Sequence, residues 1–95
     1  MRFNWDERKN RSNQRKHRVS FETAVLVFDD PRHTSHIERE VDGELRWQTI
    51  GMVNGIHVLL VVHTSPEFDN EEENIRIISA RKATPQERWV YAQGG

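Results

Sequence analysis

The sequence predicts an α+β domain: a mainly antiparallel sheet with two helices near the N-terminus and one at the C-terminus. Three observations carry this. The run Val58 to Val62 is apolar on both faces, as in a central strand covered on both sides. Asn54-Gly55, just before it, is the strongest short hairpin signal. Ser20 and Thr84 each stand where a helix cap belongs, ahead of periodic apolar residues.

Taken in order, Phe3 and Trp5 alternate with Arg2, Asn4 and Asp6, the period of a short first strand. Glu7 to His17 is helical in composition but almost without apolar residues, so this helix is not expected to pack deeply. Asn10, Asn13 and His17 fall on one side of it. A second helix opens at Ser20, sets Phe21, Ala24, Val25 and Phe28 on one face, and stops at Asp30-Pro31. Residues 32–44 are polar, a loop or edge strand with a turn at Asp42-Gly43. Leu45 to Val53 and Ile56 to Thr64 form the hairpin about Asn54-Gly55, and the acidic stretch Ser65 to Asn74 reads as a mobile loop. In the final strand Ile75, Ile77, Ser79 and Arg81 are expected on one face, with Arg76, Ile78 and Ala80 on the other. Thr84, Pro85 and Glu87 then have the spacing of a capping box with proline at the first helical position.

Ninety-five residues suffice for one domain, residues 1–95, with a single small core, and neither repeat nor linker divides them. There are no cysteines, which removes disulfides and thiolate metal sites. With no apolar leader, the expected location is a reducing cytoplasm. The longest apolar run is far short of the roughly 20 residues that span a bilayer, so no membrane association is expected.

The net charge of −1 hides a segregation. Residues 1–20 carry seven cations against two acids, residues 21–74 three against twelve, and residues 75–95 four against one. Basic ends brought together would present one positive surface to a polyanion; the plainer alternative is solvation of the surface. Within the closing strand and helix, Arg81, Lys82, Arg88 and Tyr91 bring cations and a phenol to one strand end, a combination suited to phosphate-ester chemistry.

The segments FNWDERKNRSNQRKHRVSFETAVLVFDDP, ELRWQTIGMV, LLVVHT and IRIISARKATPQERWVY resemble, in order and spacing, the BrnT family of bacterial type II toxins. The resemblance covers nearly the whole chain. It implies a RelE-like microbial ribonuclease fold, RNA cleavage that inhibits translation, and neutralisation by a BrnA-like ribbon-helix-helix antitoxin. It also implies that operator DNA is bound only through the antitoxin complex. Two positions depart from the family pattern: Arg18 stands where glycine usually follows the histidine, and Ser65-Pro66-Glu67 where an arginine is often found.

Metal-independent RNA cleavage needs a base for the 2′-OH, an acid for the leaving oxygen and cations for the developing phosphate charge, and no cofactor. Expected catalytic groups are His17, Arg46, Arg81 and Tyr91; expected RNA contacts are Lys9, Lys16, Thr64, Ser79, Lys82 and Arg88. Each has a structural alternative: His17 closing its helix, Arg46 pairing with an acid such as Glu40, Tyr91 packing its ring on the sheet. Arg76 is expected in a structural ion pair and His63 as an internal hydrogen-bonding residue. His33 and His36 lack a third metal ligand nearby, so no metal site is expected. The site rests on one geometric expectation, that the first helix and the closing strand and helix lie side by side with His17 and Arg81 at a single scissile linkage. The alternative function is a non-catalytic module that binds nucleic acid or antitoxin in operon autorepression.

Overall fold

The computed structural model describes residues 1–94. Strand β1 (Arg2–Asn4) precedes helices α1 (Glu7–His17) and α2 (Phe21–Ala24), and α2 runs into a 3-10 helix over Val25–Asp29. Strands β2 (Thr34–Val41), β3 (Glu44–Val53), β4 (His57–Thr64), β5 (Glu67–Asp69) and β6 (Glu72–Lys82) follow, then helix α3 (Pro85–Ala92). The sheet order is β1-β6-β4-β3-β2, with β5 paired to the start of β6. Every pairing is antiparallel except that of β1 with β6. This is the expected α+β arrangement.

Strand β4 lies between β3 and β6, which explains its apolar character on both sides. Leu59 and Val61 cluster with Phe21 and Ala24 of α2, Val27 of the 3-10 helix and Val19 of the link between α1 and α2. On the opposite face Val58 and Ile50 meet Ala83 and Tyr91 at α3. Helix α3 begins with the expected capping box, Thr84 accepting from the Glu87 N–H at 3.2 Å and Glu87 from the Thr84 N–H at 2.8 Å.

Helix α1 is capped by Asp6, which accepts from Arg8 N–H at 2.8 Å, and carries Arg15, Lys16 and His17 in its last turn, the signs that suit the helix dipole. Having almost no apolar side chains, it docks through amides. Asn10 is fully buried: its oxygen accepts from Phe21 N–H at 2.9 Å and its nitrogen donates to Glu22 at 2.8 Å. Asn13 donates at 2.8 Å to the carbonyls of both Val19 and Ala80 and accepts from the Ala80 N–H at 3.1 Å.

Three local expectations are corrected, and one open alternative is decided. The second helix is α-helical only to Ala24; the 3-10 coil beyond it holds Val27 against Gly51 while Asp30 reaches across to accept from Met52 N–H at 2.7 Å. Of the loop or edge strand expected over residues 32–44, residues 34–41 form the edge strand, and their charged Glu38, Arg39 and Glu40 blunt that edge. The acidic stretch is no plain loop but contains β5, because Asn70 and Glu71 adopt positive φ (51° and 66°) and turn the chain back into β6. Most consequentially, β6 has a bulge. Val62 faces Ser79 but His63 faces Ile77, leaving Ile78 without a partner. The extra residue resets the alternation, so Ile75 and Ile77 share the helix-covered core with Ala80, not with Ser79 and Arg81.

Candidate functional site

The exposed edge of β6 is where the fold gathers unpaired cations. Asn13 ties α1 to that edge at Ala80, and the turns of α1 on either side then overlook Ile78 and Ser79. Lys9, Ser12 and Lys16 recur at the spacing of one helical face, and with His17, Ile78 and Ser79 they line a hollow of about 180 Å³. His17 is half-buried at its end, whereas Lys9 and Lys16 are exposed. Among the described residues none of Lys9, Lys16 and His17 meets a carboxylate within 4 Å. The hollow therefore offers two ammonium groups for an anion, hydroxyls for hydrogen bonds, and an imidazole whose two ring nitrogens can donate and accept hydrogen bonds.

The other expected residues lie elsewhere. Arg81 does not line this hollow. Its guanidinium closes on Glu87 of α3 in a two-pronged pair, at 2.7 and 3.0 Å, and the pair raises the arginine and pulls the Glu87 carboxyl down to about 2. Arg88 donates to the Ala83 carbonyl at 3.1 Å, continuing the same end of the helix. The His17 and Arg81 side chains thus serve different neighbours and do not surround one linkage.

Arg46 bonds Glu44 of its own strand, not Glu40, whose cross-strand partner is Leu45. Arg76 donates to the same Glu44 at 2.9 Å, the ion pair expected of it. Thr64 faces Arg46 across the β3/β4 pair, accepts from Arg76 N–H at 3.1 Å, and lines a small hollow with Glu44, Glu67 and Arg76. Arg46 and Arg76 share Glu44, and Glu67 adds a second carboxylate, so this patch has no excess of cations to offer a phosphate.

The Tyr91 phenol is buried and donates to the Asp30 carboxylate, with Arg32 5.4 Å above the ring. Burial first, and then the Asp30 bond, raise the tyrosine. Burial also pushes Asp30 up, but the Met52 N–H, the Tyr91 hydroxyl and Arg32 outweigh it and hold the carboxyl below its ordinary value. Such a phenol ties α3 to the loop before β2 and is no ready proton donor to an outside ligand. His63 is an internal residue as expected, with one ring nitrogen 2.6 Å from Thr49 Oγ1 and the other 2.8 Å from the Thr64 carbonyl; burial lowers it. His33 sits 2.7 Å from the Asp30 carbonyl, and no cluster of three metal-ligating side chains forms among the described residues.

One grouping escaped the sequence reading. Lys82 does not join the other expected contacts but lines a hollow of about 330 Å³ with Arg18, His57, Gln14, Ser20, Thr23 and Asn54. His57 directly follows the hairpin turn, and the register Leu59↔Lys82 sets it diagonally across from Lys82. That proximity depends on the bulge, which no pattern of alternation announces.

Over residues 5–87 the chain matches a protein family described as ribonuclease toxin, BrnT, of type II toxin-antitoxin system. No curated protein matches it. Among solved structures, the crystal structure of the Brucella abortus ribonuclease toxin BrnT aligns with a TM-score of 0.61 at 23% identity, covering 88% of this chain and 97% of that one. At that identity the likeness concerns the fold.

Proposed function

The chain belongs to the BrnT family of ribonuclease toxins of type II toxin-antitoxin systems, and from that premise we propose that it cuts RNA at the α1/β6 hollow by metal-independent transesterification. The observation that supports this reading is the company His17 keeps. A half-buried imidazole stands beside two ammonium groups free of carboxylates and beside the Ile78 bulge and Ser79. Lys9 and Lys16 hold the phosphate and stabilise the charge that grows on it; His17 moves the proton of the attacking 2′-OH or of the leaving oxygen. Arg81 contributes by fixing α3 through Glu87, and Arg46 by holding Glu44, the carboxylate that also binds Arg76 of β6.

A type II family brings an antitoxin partner with it. We assign that partner the ribbon-helix-helix class, with operator DNA contacted by the antitoxin alone, and the biological outcome is inhibited translation. Purified protein free of antitoxin is expected to degrade RNA in EDTA, and His17→Ala to lower the rate by at least about tenfold, the scale of a lost proton-transfer group. RNA retarded in a gel but left intact by the unaltered protein, with no growth arrest on its expression, would sink the proposal in favour of a binding module.

A further inference from the structure

The second cationic hollow is left unexplained by the cleavage site. Arg18, His57 and Lys82 come from three separate elements: the end of α1, the start of β4 and the end of β6. All three are exposed, and among the described residues none lies within 4 Å of a carboxylate. This sets them apart from Arg46, Arg76 and Arg81, each of which is neutralised by Glu44 or Glu87. The remaining polar lining, Gln14, Ser20, Thr23 and Asn54, supplies neutral hydrogen-bonding groups and no acid.

Position adds to composition. Arg18 directly follows His17 in the chain, and Lys82 lies three residues beyond Ser79 on β6, about 10 Å along a strand. The end of α1 thus separates two hollows, one holding Lys9, Lys16, His17 and Ser79, the other Arg18, His57 and Lys82. A volume of about 330 Å³ is at the small end of ligand sites, enough for a phosphate with its sugar but not for a folded element.

We propose that the Arg18/His57/Lys82 hollow is a second phosphate subsite, which holds the backbone of the same RNA strand next to the linkage in the His17 hollow. Arg18 and Lys82 bind the phosphate, and the neutral groups bond the sugar. The subsite reads no base, so it sets substrate length and grip, not sequence. The inference rests on the ribonuclease reading for its ligand class. RNA is favoured over an acidic protein segment because the two hollows flank one helix end and together form a cationic track, as a continuous polyanion requires.

The test uses a fluorescent single-stranded oligoribonucleotide with the full-length chain carrying His17→Ala to prevent turnover. Adding Lys82→Ala or His57→Ala, both at exposed positions, is expected to weaken binding about three- to tenfold. Lys82→Ala is further expected to flatten the slope of log affinity against log salt by about 0.7, the value for one phosphate on a single strand. Unchanged affinity and slope, with circular dichroism showing a folded protein, overturn the proposal. So does displacement from the hollow by poly-glutamate when RNA binding ignores both substitutions, which would assign it to an acidic protein partner. Cleavage by protein with His17 intact separates the two readings. RNA bound through Lys82 yet never cut sustains the subsite and ends the ribonuclease assignment, whereas RNA cut with an unaltered KM in Lys82→Ala ends the subsite alone.

Discussion

The side-chain amide of Asn13 pairs with both backbone groups of Ala80, donating to its carbonyl at 2.8 Å and accepting from its N–H at 3.1 Å. A neighbouring strand would make the same two bonds, so α1 substitutes for one at the β6 edge. Asn13 is 7% exposed, and truncation leaves the Ala80 groups without partners in a nearly dry site. Asn13→Ala is expected to cost about 3 kcal/mol in urea unfolding, the scale for orphaned buried backbone groups. Asn13→Asp should cost more at neutral pH, because it replaces the donor with a charge facing two carbonyls, Val19 and Ala80. Equal stability of the Asp variant and the unaltered chain would show that the amide seam does not hold α1.

Arg18 ends α1 in the left-handed region, at φ 61° and ψ 27°, with its N–H on the Gln14 carbonyl. The departure from glycine at this position leaves the turn itself intact; an arginine simply bears the strain that glycine avoids. Arg18→Gly is therefore expected to raise stability by about 1 kcal/mol while lowering affinity for single-stranded RNA. Thermal unfolding and oligonucleotide titration of the same sample read the two effects, and a fall in both would place the role of Arg18 in folding.

How much of this the sequence disclosed follows from the range over which each signal acts. The capping box at Thr84 and the hairpin at Asn54-Gly55 are local, and they stand where the spacing put them. The polar stripe of Asn10, Asn13 and His17 was visible too, although the partners of its amides lie as far off in sequence as Ala80. The Ser79 face was not legible, because a bulge is a property of two strands and one strand's alternation cannot reveal it. The arginines show a similar limit: Arg81 looks free in sequence until Glu87 of α3 closes on it, and for Arg46 an acidic partner is expected from sequence but the partner is Glu44, not Glu40.

Gly51 marks the closest approach of the 3-10 segment to the sheet. A Cβ there would lie 2.9 Å from the Val27 carbonyl oxygen and 3.0 Å from its Cβ. Backbone cannot give way as a flexible side chain can, so Gly51→Ala is expected to destabilise the protein by about 2 kcal/mol. Loss of the Phe28 and His63 ring contact, now 5.1 Å between centroids, would accompany it in the aromatic NMR shifts. An alanine variant with unaltered unfolding and spectra would mean that the segment sits further from β3.

Tyr91 tests the separation of scaffold from chemistry. Its hydroxyl bonds Asp30, which also accepts from Met52 and Arg32 N–H groups and so remains satisfied when the phenol is removed. Tyr91→Phe is expected to cost about 1 kcal/mol and to leave RNA cleavage within about twofold. Asp30→Asn should cost more, because it disturbs all three bonds. A large fall in cleavage with Tyr91→Phe, at unaltered stability, would restore the phenol to the reaction.

The pair of Arg81 and Glu87 predicts an acid limit for the attachment of α3. Bonded first by Arg81, and despite partial burial, Glu87 is held at about 2 against an ordinary 4.5. Because the folded value is depressed, its stabilisation is complete above about pH 4.5 and is lost as the pH falls towards 2. The carboxylate is partly open to water, and screening reduces the effect to about 1–2 kcal/mol. Glu87→Gln is expected to flatten stability between pH 4.5 and 2 and to lower it at neutral pH by that amount. It also frees the Arg81 guanidinium, so RNA affinity should rise. Lower RNA affinity in this variant would instead show that the intact pair, through the position it gives α3, is what RNA requires.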